Sequence, residues 1–193
     1  MTTASLLLSI IYLSAVFAYF PSWGILVIPL SIAITILFDL AIFRLGSVVR
    51  NVALVCLGGA LGIFFGFSIQ LYSAVLILAF LAVYDIFAVY RGPVGKIAQS
   101  SGLDELQGLT FAFKDIQMGL GDLVFYSMLT GAMFFSFLPS ILPCIISIIG
   151  ILAGSIITFF MLERKGIFPG LPFPIMLGLA GGLITGLLII PLL

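Results

Sequence analysis

The sequence predicts an all-α protein that crosses a membrane several times. Three observations predict it. The 193-residue chain is 63% hydrophobic and only 7% charged, with 19 Phe. That is more apolar side chain than a soluble domain of this size can bury. The apolar residues fall into seven runs of roughly 20, the length that crosses a hydrocarbon core as a helix. All seven Lys and Arg residues fall between alternate runs, on one side of the barrier those runs define.

The runs cover roughly 4–20, 24–43, 51–69, 71–90, 119–138, 140–162 and 171–193. They are separated at "PSWG", "RLGSVVRN", Gln70–Ser73, residues 91–118, Leu138–Pro139 and "ERKGIFPG". The Gln70 break is required because a helix over 51–90 would be about 60 Å long, twice the core thickness. Arg44 and Arg50 follow the second run, Arg91, Lys96 and Lys114 the fourth, and Arg164 and Lys165 the sixth. The positive-inside rule makes that side cytoplasmic, with the N-terminus cytoplasmic and the C-terminus outside. The first run does not read as a cleaved signal peptide. "MTTAS" has no basic residue and "SAVFAYF" no A-x-A site. Residues 1–70 read as a three-helix scaffold and 71–193 as the helices that carry chemistry, within one integral membrane domain.

Glycines recur every four residues at Gly58, Gly62 and Gly66, at Gly150 and Gly154, and at Gly178, Gly182 and Gly186. Such stripes let helix backbones pack closely. The halves of the chain do not repeat one another, which weighs against a transporter of inverted halves. The net charge is zero, so no nucleic-acid partner is expected. Cys56 and Cys144 lie in apolar runs and read as small hydrophobes.

The absence of histidine excludes an H-E-x-x-H zinc peptidase and a Ser-His dyad. Lys96, Lys114 and Lys165 all fall in loops, which excludes a Ser-Lys dyad within a span. Carboxylates are the side chains left for general acid–base work in the membrane. Three lie within runs: Asp39, Asp85 and Asp122. A carboxylate in hydrocarbon costs roughly 2.5–3.5 kcal/mol on insertion scales. Asp39 lies one turn from the end of its run, able to reach the interface or pair with Arg44, and reads as structural. Asp104, Glu105, Asp115 and Glu163 read as solvated loop residues.

Asp85 and Asp122 differ from these. Asp85 precedes Arg91 by about 9 Å of helix, and Asp122 follows Lys114 at a similar depth on an antiparallel run. Two carboxylates at matched depth can share one proton, which lowers the cost of burying both and makes an acid–base pair. Gly119 and Gly121 bracket Leu120 just before Asp122, so backbone can approach that acid closely. In "FPGLPFPIMLGLAGG", Pro169, Pro172 and Pro174 interrupt the entry to the last run. One or two prolines fit the first turn of a helix. Three also suggest non-helical backbone, which survives in a membrane only if buried in protein or lining water.

These residues carry a resemblance. "VYDIFAVY", with Tyr84 and Asp85, resembles the Tyr-Asp motif of the presenilin and signal peptide peptidase family. "GLGDLVFYS", from Gly119 and including Asp122, resembles that family's Gly-x-Gly-Asp motif with the aromatic and Ser that follow it. "PGLP", Pro169 to Pro172, resembles the family's Pro-Ala-Leu motif with Gly170 in place of Ala. The three occur in family order and cover Leu71 to the C-terminus. The chain departs from the nine-span family pattern by two N-terminal spans. Its 91–118 loop is also short.

The resemblance implies an intramembrane aspartyl protease, similar to archaeal or bacterial presenilin homologues, in the cell membrane of a prokaryote. Asp85 and Asp122 are the implied catalytic pair, near the cytoplasmic side. Tyr84, Gly119, Leu120, Gly121, Pro169, Gly170, Leu171 and Pro172 are implied to shape the site and bind substrate. The implied partners are transmembrane-helix or signal-peptide substrates and the lipid bilayer. No metal or other cofactor is implied, accessory subunits are not required, and a homo-oligomer is compatible with the chain. Pro169–Pro172 and Asp115–Met118 are expected to offer unpaired backbone to an unwound substrate. Two other readings stand beside this one. A prepilin or preflagellin leader peptidase also uses a Gly-x-Gly-Asp motif. A proton-coupled transporter would use the aspartates as a relay.

Overall fold

The computed structural model describes residues 2–18, 21–91, 110–113, 116–165 and 169–189. Helix α1 (Thr2–Phe17) leads through a 3-10 turn (Pro21–Leu26) into α2 (Val27–Phe43). Then come α3 (Ser47–Ser68), α4 (Leu71–Arg91), strands β1 (Thr110–Phe113) and β2 (Ile116–Gly119), α5 (Leu120–Ser136), α6 (Leu142–Lys165) and α7 (Pro172–Ile189). Each of the seven apolar runs overlaps one of these helices. Among the described residues, five helical stretches are long and apolar enough to cross a membrane, those of α2, α3, α4, α6 and α7. Helices α1 and α5 are apolar but shorter, with 16 and 17 residues. The protein is thus an all-α, membrane-embedded chain apart from one short hairpin.

The break at Gln70 is present, between Ser68 and Leu71. Helix α3 begins four residues earlier than the apolar pattern suggests, because the Arg50 N–H already donates to the Gly46 carbonyl at 3.1 Å. Polarity at Arg50 and Asn51 hid a turn of helix that hydrogen bonding supports. The hairpin is the element the apolar pattern does not announce. Its strands are antiparallel, Thr110 opposite Gly119 and Phe113 opposite Ile116. The expected roles of Lys96, Asp104, Glu105, Lys114 and Asp115, and the ends of the first and last runs (residues 19–20 and 190–193), lie outside the described residues.

The chain divides into two compact units, and the boundary falls inside α3. One unit holds the residues up to Ala60 with the hairpin through Leu120; the other holds Leu61 to Arg91 and Gly121 onward. In the first, α1 packs on α2. Ser5, Ser9, Ser31 and Thr35 are buried. Their hydroxyls donate within their own helices, as in Ser9 to the Ser5 carbonyl (2.7 Å) and Thr35 to that of Ser31 (2.8 Å). The Tyr12 hydroxyl reaches across to the Ala60 carbonyl at 2.8 Å. Leu120 packs on a cluster of Ile42, Ala53 and Leu54.

In the second unit α5 lies between the end of α3 and α7. A Cβ added at Gly66 would stand 2.6 Å from the Met128 carbonyl oxygen, and one at Gly62 would collide with Ser127 and Val124. On its other side α5 meets the glycine stripe of α7, where Gly182 faces Met133 and Gly186 faces Phe137. Helix α6 packs on α7 in the same way, Gly154 lying against the backbone of Pro174. Lipid is as apolar as leucine, so this close van der Waals fit is what holds such helices together.

Candidate active site

The site grows from the way α7 starts. Leu171 supplies the carbonyl that accepts the first helical bond, from the Ile175 N–H at 3.1 Å. Pro172 and Pro174 are the first and third helical residues. Neither has an N–H, so two of the donors that a helix start leaves unpaired do not exist here. Pro169, Gly170 and Leu171 lie before the helix. The first-turn explanation thus accounts for two prolines and leaves Pro169 in non-helical backbone. That backbone is enclosed: Pro169 is buried and Leu171 is 7% exposed.

The Leu171 N–H has no helical acceptor. It donates to Oδ2 of Asp85, on α4, at 3.0 Å. Asp122 sits in the first turn of α5, where the positive end of the helix dipole favours a carboxylate. Its Oδ2 lies against Gly170, so close that an added Cβ would be 3.2 Å away. One turn along α5, the Tyr126 hydroxyl donates to the Gly170 carbonyl at 3.1 Å. Two aspartates from different helices therefore meet one short stretch of non-helical chain.

The other expected site residues divide. Gly170 and Leu171 touch the aspartates, and Pro169 and Pro172 are buried beside them. Gly121 is exposed, and a Cβ there would meet only Phe125 Cε2 at 3.8 Å, so no backbone of its own unit fills the space it leaves. Leu120 turns its side chain into the α2–α3 cluster. Gly119 ends β2. Tyr84 is 60% exposed although it adjoins Asp85. Tyr126 was not singled out from sequence. The signal available was its spacing, four residues after Asp122 and so on the same helix face.

Two expectations need correction. Gly170 and Leu171 do not offer a free peptide to a substrate, since both polar groups of the peptide joining them are engaged. Ile116–Met118 pairs with β1, so one of its edges is taken. Asp39 does not pair with Arg44 either: its Oδ1 is buried without a partner among the described residues. A step of five residues turns the two side chains away from one another, unlike a step of four.

Gly170→Ala tests the fit at Asp122. Gly170 does not need the left-handed conformation, so alanine suits its backbone, and the carboxylate has to yield only a few tenths of an ångström. The variant is expected to fold with an unchanged Tm and to keep any activity within a few fold. A loss of two orders of magnitude would mean that Asp122 cannot move at all.

Comparison with models of known protein families gives no match, and neither does comparison with curated proteins.

Proposed function

We propose that the protein is an intramembrane aspartyl protease that hydrolyses peptide bonds in transmembrane helices or signal peptides. One observation carries the reading: Asp85 and Asp122 reach the same non-helical Pro169–Leu171 stretch from two helices. In the proposed reaction one ionised carboxylate takes a proton from water while the other, protonated, donates to the scissile carbonyl. A tetrahedral diol forms and collapses without a covalent enzyme intermediate. The chain crosses the membrane seven times, with the N-terminus and the water supply to the dyad on the cytoplasmic side. The exposed face at Gly121 is where an unwound substrate approaches Asp122.

Purified protein incubated with a membrane-helix substrate should yield products whose masses place the cut within the apolar segment. A diol-type transition-state mimic should block it. Cuts confined to the polar end of a leader peptide would favour the leader-peptidase reading. No cuts, with proton-dependent solute flux, would favour the transporter.

A shared proton also sets the pH dependence. The active form holds one proton between two carboxylates, so activity should trace a bell. It falls on the acid side when both are protonated and on the alkaline side when the shared proton is lost. A rate that climbs steadily to pH 10 would contradict the dyad.

A further inference from the structure

We propose that Tyr126 is a positioning residue that fixes the orientation of the peptide unit lying between the two aspartates. The proposal rests on the dyad reading above. The Gly170 carbonyl and the Leu171 N–H belong to one planar peptide group and point in opposite directions from it. The phenol of Tyr126 holds the oxygen at 3.1 Å, and Oδ2 of Asp85 holds the N–H at 3.0 Å. One rigid plane is thereby pinned at both ends, from α5 and from α4.

Releasing the tyrosine end frees the plane to rotate about the single bonds that flank it. Gly170 has no Cβ and opposes that rotation little. Rotation swings the N–H away from Asp85 and shifts backbone that lies against Asp122. Tyr126 follows Asp122 by one helical turn, so a single helix carries both a carboxylate and the clamp that orients the peptide beside it. A buried phenol ordinarily finds some hydrogen-bond partner, and Tyr126 is only 8% exposed. If that were its whole role, losing the hydroxyl would lower stability and leave turnover per folded molecule alone.

Tyr126→Phe keeps the ring and its packing. In a cleavage assay its kcat should fall about 10- to 100-fold, as displaced reacting groups do. KM and Tm should stay near wild type. Adding Gly170→Ala to Tyr126→Phe should raise kcat again, because the new Cβ hinders rotation of the plane. A second readout needs no substrate. Hydrogen–deuterium exchange over residues 169–175 should show the Leu171 amide exchanging about tenfold faster in Tyr126→Phe, as a locally released amide does. Wild-type kcat in Tyr126→Phe, beside an inactive Asp85→Asn, would overturn the clamp and leave the dyad standing. A wild-type protein that cleaves nothing would remove the dyad reading. Unchanged exchange at Leu171 would overturn the clamp whether or not cleavage is seen.

Discussion

Asp85→Asn and Asp122→Asn are each expected to abolish proteolysis while the protein still inserts and purifies. General acid–base groups contribute up to about 10⁴-fold, and losing either partner removes both halves of a shared-proton mechanism. Asparagine suits these positions structurally. At residue 85 its amide oxygen can still accept from the Leu171 N–H, so the α7 start keeps its partner. Relief from burying a charge should leave Tm unchanged or raised. Asp39→Asn is the control, since Asp39 lies on α2 and carries no part of the proposed dyad, and its activity should stay within a few fold. Cleavage at the wild-type rate by either dyad variant would end the assignment.

Pro169→Ala and Leu171→Ala should each lose most activity, although neither residue can transfer a proton. Pro169 is a buried residue in the non-helical chain ahead of α7, and its ring fixes φ there. Alanine there restores an N–H and frees φ, so the bend can relax and move Gly170 relative to Asp122. A displacement near 1 Å beside a reacting centre costs on the order of 100-fold in rate. Leu171→Ala keeps the backbone N–H that binds Asp85 but empties a buried site. Large-to-small changes of this kind cost about 2–5 kcal/mol where the surroundings cannot collapse. The measurement is therefore cleavage rate per folded enzyme, with Tm followed alongside. Near wild-type rates for both variants would reduce this stretch to an ordinary helix start.

The sequence announced the helices because apolar run length is a one-dimensional property. Charges marked alternate breaks between runs, and the glycine spacing foretold which faces would touch. Gly62 and Gly66 on α5, and Gly182 on Met133, are contacts of the expected kind. The sequence did not announce the hairpin, because β1 and β2 are four residues each and lie almost wholly in the loop between the fourth and fifth runs. The two aspartates were legible as lone carboxylates in apolar runs. Their partners were not. The Leu171 N–H and the Gly170 carbonyl are backbone groups, and no residue type records where a backbone bond goes. Leu120 was misplaced for the converse reason: its position beside Asp122 in the chain says nothing of the side of α5 it occupies.

The hydroxyls of Ser9, Ser31, Thr35, Ser155, Thr158 and Thr185 all donate to carbonyls one turn back in their own helices. That has a consequence for biogenesis. A hydroxyl bonded within its own helix needs no neighbour, so these helices can leave the insertion machinery singly and wait in lipid at little polar cost. Other groups among the described residues cannot wait. Among the described residues, the phenols of Tyr12 and Tyr126 and the carboxylate of Asp85 find partners on another segment. Insertion and assembly are therefore separable steps for this chain. The second is the step that completes the site, because Asp85 gains its donor only when α7 arrives beside α4.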